Sequence, residues 1–125
     1  MLSTTTDVVI GGALDGLALR HRAYVNNLAN VETPGFQPSD VKFEEQLRSV
    51  RDRLDLHALD PDSPPALDLS TSKDAQQADR ADGNGVQVDT QVMKLEENSL
   101  TYQALATAAR SRGQILLSAI TEGRK

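Results

Sequence analysis

The chain has 125 residues, 38% hydrophobic and only 3% aromatic, with a formal net charge of -5 and no cysteine. That is enough for one domain with a thin core, and it excludes both a disulfide framework and thiolate chemistry. An acidic balance with few aromatic platforms argues against a nucleic-acid ligand.

The first Lys or Arg is Arg20, and the longest apolar stretch near the start is Val8, Val9 and Ile10. Neither the charged region nor the apolar region of a cleaved signal peptide is recognisable, so any export is expected to follow another route. No segment has the eighteen or so apolar residues that read as a membrane-spanning helix, so no direct membrane span is expected.

From residue 7 to residue 31, Ile10, Leu14, Leu17, His21, Tyr24, Leu28 and Val31 alternate spacings of four and three. Such a seam packs along another helix rather than onto a sheet, and it predicts a helix roughly 38 Å long. Asp7 suits its N-cap or first turn. Its far end carries Asn26, Asn27 and Asn30, followed by Thr33, Pro34, Gly35 and Phe36. Pro34 and Gly35 fit positions i+1 and i+2 of a type II turn, which ends the helix. Asn30 and Thr33 can close that end locally. Asn26 and Asn27 each cost roughly half a kcal/mol of helix propensity, so their amides are expected to meet partners across a helix contact.

Residues 38–87 hold four of the five prolines, most of the acidic excess and the run "TSKDAQQADRADGNG". This is the composition of a linker that cannot bury enough apolar area to offset its ordering entropy, and residues 70–85 are expected to be extended or disordered. Within it, "KFEEQLRSVRDRL" (42–54) predicts a short helix with Phe43, Leu47, Val50 and Leu54 on one face, and "ALDLST" (66–71) a short strand.

The last segment, 88–125, repeats the heptad spacing: Val88, Val92, Leu95, Ser99, Tyr102, Ala106, Ala109, Gly113, Leu116 and Ile120. Asp89 suits an N-cap and Gly123 a C-terminal stop. Arg110, Arg112, Arg124 and Lys125 read as favourable charge near a helix C-terminus. The expected fold is therefore all-α, with two long terminal helices (in 1–37 and 88–125) packing as a coiled-coil-like hairpin joined by a long extended or disordered acidic linker (38–87). Leu14, Leu17, Tyr24, Leu28 and Val31 on one helix, and Val92, Leu95, Tyr102, Leu116 and Ile120 on the other, are the expected interface.

Catalytic chemistry finds no support. His21 and His57 have no His or Cys at metal-ligand spacing, and adjacent acids such as Glu44–Glu45 and Glu96–Glu97 diverge by about 100° on a helix. "DGNG" (82–85) lacks the Lys-Ser/Thr ending of a phosphate loop, and neither "DPDSP" nor "DRADGNG" has calcium-loop spacing. No cofactor or metal is expected.

"NNLANVETPGFQPSDVKFEEQL" (26–47), built on Asn26, Asn27, Leu28, Ala29, Asn30, Thr33, Pro34, Gly35 and Phe36, resembles the rod, hook and hook-associated axial proteins of the bacterial flagellum. "ENSLTYQAL" (97–105), with Asn98, Ser99, Leu100, Tyr102 and Gln103, together with the short chain, is similar to the shortest rod members of that family. The resemblance implies a structural subunit of the proximal rod in the basal body, self-associating through its terminal helices. It implies other rod subunits, the junction of membrane ring and export gate, and the flagellar type III export apparatus as partners, with synthesis in the cytoplasm and no cleaved signal. It also implies an export signal of the form Phe, three residues, apolar residue, which Phe43 to Leu47 fits. Gln87 and Gln91 stand where the family more often has acids. A soluble helical-hairpin adaptor or chaperone that binds one partner helix is the alternative, and an enzyme a distant third.

Overall fold

The computed structural model describes residues 5–55, 69–73 and 86–123. In chain order the elements are α1 (Thr5–Ala29), β1 (Ser39–Asp40), α2 (Glu44–Asp55), β2 (Ser72–Lys73) and α3 (Val88–Glu122). The chain is mostly helical, with long helices at either end, as the heptad spacings predict.

α1 and α3 run antiparallel, since contacts that descend one helix climb the other: Asn27 meets Gln91, Leu17 meets Asn98, and Asp7 meets Arg112. At 1.5 Å per residue the 25 residues of α1 reach roughly 37 Å and the 35 of α3 roughly 52 Å. α3 therefore continues well past the Asp7–Arg112 pair. Its N-cap is Gln87 rather than Asp89, which falls in the first turn. Its C-cap is Gly123, in a right-handed conformation with its N–H donating to the Ala119 carbonyl.

The turn after α1 closes as its residues require. Gly35 has φ 72°, the positive value that glycine tolerates, and the Phe36 N–H donates to the Thr33 carbonyl at 3.3 Å. The chain then returns along α1 through β1 to α2, which lies against α1. Phe43, Leu47 and Val50 are buried, as the 42–54 pattern predicts, and the Phe43 carbonyl accepts the first helical bond from the Leu47 N–H. The core is small: Leu17, Ala23, Val41, Phe43 and Leu47, with Val9, Ala13, Leu19, Leu69 and Leu105 packed around them.

One expectation for the linker changes. Leu69, Ser70 and Thr71 are not strand; the strand is the pair Ser72–Lys73, antiparallel to β1 with Ser39 opposite Lys73 and Asp40 opposite Ser72. These two residues belong to the segment expected to be extended or disordered, and they are extended and tied to β1. Residues 66–68 and 74–85, His57, Arg124 and Lys125 lie outside the described residues, as does the side chain of Leu54.

Candidate assembly interface

Asn27 is fully buried where the last turn of α1 meets the first turn of α3. Its carboxamide holds the Ser39 backbone at two points, donating from Nδ2 to the carbonyl at 2.8 Å and accepting the N–H at 2.9 Å. Nδ2 also donates to Gln91 Oε1 at 3.1 Å. One side chain thereby fixes both where the chain re-enters along α1 and where α3 sits. Gln91 is itself fully buried. Two turns further along α3, Asn98 Nδ2 donates to the Leu17 carbonyl at 3.0 Å.

Asn26 and Asn30 bond to each other across the last turn of the helix. Asn26 is exposed, and its backbone carbonyl accepts from Asn30 Nδ2 at 2.8 Å, while Thr33 Oγ1 donates to Asn30 Oδ1 at 3.3 Å. The expectation that Asn26 reaches across a helix contact does not hold within the chain, because Asn30 takes its oxygens.

A second anchor holds α2. Arg20 donates from Nε to the Val41 carbonyl at 2.8 Å and from its terminal nitrogen to Glu44 Oε1 at 2.6 Å, with its guanidinium 4.4 Å from the centre of the Phe43 ring. The ring rests on Gly16, where a Cβ would fall 2.5 Å from Phe43 Cγ. Partial burial alone would raise the Glu44 carboxyl. The hydrogen bond and charge of Arg20, with the backbone N–H groups of Glu44 and Phe43, outweigh it and hold the group below its ordinary value. Tyr24 closes this side, donating from its hydroxyl to Asp40 Oδ1 at 3.0 Å.

The heptad residues fall unequally around this frame. On α1, Leu17 and Tyr24 are buried, Leu14, Leu28 and Val31 are half-buried, and His21 is exposed. On α3, Leu95 is half-buried, whereas Val88, Val92, Tyr102, Leu116 and Ile120 are exposed. The line that meets α1 is instead Gln91, Asn98, Leu105 and Arg112, at seven-residue intervals. It lies roughly 70° round the helix from the expected seam at 100° per residue. The reason is chemical: three of its four positions are polar, so a search for apolar periodicity passes over it, while α2 covers one flank of the hairpin and leaves the other open. Arg112, read as charge near a helix end, instead pairs with Asp7 at 2.9 Å across the two helices.

On the open flank lies a groove of about 380 Å³ lined by Leu17, Ala18, His21, Asn98, Ser99 and Tyr102, among others. Ser99 fills little of it, since its hydroxyl bonds its own helix at the Leu95 carbonyl. Of the second motif, Asn98, Ser99, Tyr102 and Gln103 line this groove and Leu100 is exposed. Among the described residues, Asn98 Oδ1 and Gln91 Nε2 are buried without a hydrogen-bond partner.

The buried polar side chains in this contact are carboxamides, which neither ionise nor exchange protons near neutral pH, so the arrangement holds helices in register rather than performing a reaction. Among the described residues no group of three His, Cys, Asp or Glu could hold a metal, and no helix is long and apolar enough to cross a membrane.

No family model matches the chain. Curated proteins do. It is 32% identical over 125 residues to the flagellar basal body rod protein FlgB of Yersinia enterocolitica, covering 89% of this chain and 90% of that protein. It is 28% identical over 120 residues to the Bacillus subtilis FlgB, covering 90% of each, and 29% identical over 125 residues to that of Escherichia coli K12, covering 89% of each. With similarity of this extent running through both helices and the segment between them, the chain belongs to the FlgB family of flagellar basal body rod proteins.

Proposed function

We propose that this chain is a structural subunit of the proximal rod of the flagellar basal body, exported unfolded through the type III apparatus and assembled through its terminal helices onto other rod subunits. Such a part is not an enzyme; its work lies in holding position among neighbours. The observation that carries the reading is the unused apolar line on α3. Val88, Val92, Tyr102, Leu116 and Ile120 remain exposed although the helix is already locked to α1 by Asn27, Gln91 and Asn98. A helix with apolar surface beyond what its own chain covers has room for further helices.

Export in an unfolded state agrees with where Phe43 and Leu47 lie. Both are buried against α1, so an export signal at these residues is readable only before α2 docks. The test is a deletion strain scored for swimming and for rods in isolated basal bodies. Loss of both, restored by the gene, is expected; a deletion strain that swims normally overturns the reading.

A further inference from the structure

The free end of α3 and the open groove part-way along the hairpin match in chemistry. Beyond Arg112, whose partner Asp7 stands in the first turn of α1, the helix runs on through Gly113–Glu122. That stretch exposes Ile115 (69%), Leu116 (44%), Leu117 (63%) and Ile120 (64%) on several faces at once. A helix end apolar around most of its circumference is a surface made to be covered.

We propose that this end of α3 docks in the groove between α1 and α3 of a second copy of the chain. This rests on the reading of the chain as a rod subunit and names one of its contacts. Three observations select a second copy. Each chain carries both the projecting end and the groove, so the same heterologous contact repeats from copy to copy, in a ring or an open helix according to its rotation. Glu122 is the one charged residue from 113 to 123, and Arg22 is the one permanently charged residue lining the groove, so the pair is complementary in sign. The groove also offers the buried, unpartnered Asn98 Oδ1 as an acceptor, and the projecting end carries Gln114 as a donor. Ala18 and Ser99 leave room there for a leucine or isoleucine.

The chain has no cysteine of its own, so cross-linking reads this contact cleanly. Ala18 lies near Ser99 across the groove, and Ile120 is about six turns further along α3, roughly 30 Å away, so a short bismaleimide can join positions 18 and 120 only between copies. Ala18→Cys and Ile120→Cys chains are expressed together in a deletion strain, with Met93→Cys, on the opposite side of α3, replacing Ala18→Cys as the control. The expected result is an 18–120 dimer in excess over the 93–120 dimer on the order of tenfold, the signature of a docked site. Equal yields, linkage of position 120 only to itself, or linkage only to a different rod protein would overturn the proposal. Swimming keeps the two readings apart: swimming restored without the 18–120 product removes this contact alone, and the product formed by a chain whose loss leaves swimming intact removes the rod reading alone.

Discussion

Asn27 and Gln91, 64 positions apart in the chain, meet at 3.1 Å with no exposed surface on either. Asn27 is also the residue that holds Ser39, so the pairing of the long helices and the path of the intervening segment share one side chain.

Asn27→Ala removes four hydrogen bonds, the weakest from Ser39 Oγ at 3.5 Å, and leaves the Ser39 backbone and Gln91 Oε1 unmet. At about 1 kcal/mol net for each of the three shorter bonds, with the stranded groups adding to the sum, the loss should be about 4 kcal/mol. Urea unfolding followed by circular dichroism will show it as a lowered midpoint with native helix content largely kept. Asn30→Ala, which loses the bonds to the Asn26 oxygens and from Thr33 Oγ1 at a helix end, should cost about 1 kcal/mol. Asn27→Ala should also abolish swimming, and a motile variant of normal stability would separate this amide from assembly.

Gly16→Ala sets two effects against each other. Alanine favours a helix by about 1 kcal/mol over glycine, but the new Cβ would overlap the root of the Phe43 ring, and such overpacking typically costs about 1–3 kcal/mol. Because the clash is at Cγ rather than the ring tip, the net change should be destabilising. Pairing it with Phe43→Leu should recover much of the loss in a thermal melt. Gly113→Ala has open space around the Cβ and should stabilise α3 slightly.

Acid should loosen α2. Glu44 has its folded-state value lowered from 4.5, so its contribution is fully present at neutral pH and is lost as pH falls below 4.5 and through the folded value. The stability difference between the wild-type chain and Glu44→Gln should be constant above about pH 5.5 and shrink as pH is lowered to about 3. A difference that grows on acidification would contradict the Arg20–Glu44 pairing.

Phe43→Ala separates packing from export. Removing a buried phenylalanine should cost about 3–5 kcal/mol. A destabilised chain unfolds more readily, so if Phe43 only packs, secretion should be unchanged or increased. If Phe43 is read by the export apparatus, secretion should fall despite the lower stability, as a secretion assay against total cell protein will measure.

Heptad spacing located both long helices, and the Phe43–Leu47–Val50 pattern located α2, because these signals arise from apolar side chains at helical intervals. The line joining α1 to α3 was not legible in the same way. Gln91, Asn98 and Arg112 are polar, and only their seven-residue interval, shared with Leu105, marks them. Arg20 and Gly16 gave no local signal, since each acts through Phe43, more than twenty residues away. Asn27 stood out as an unfavourable helix residue in need of a partner, but the identity of that partner depended on how the turn at Gly35 redirects the chain.

Because the turn end and the middle of the hairpin are fastened by carboxamides, parting α1 from α3 uncovers groups that water solvates well beside the apolar ones. A joint so built holds the two helices at one setting while they stay paired and still lets them part without baring apolar surface alone.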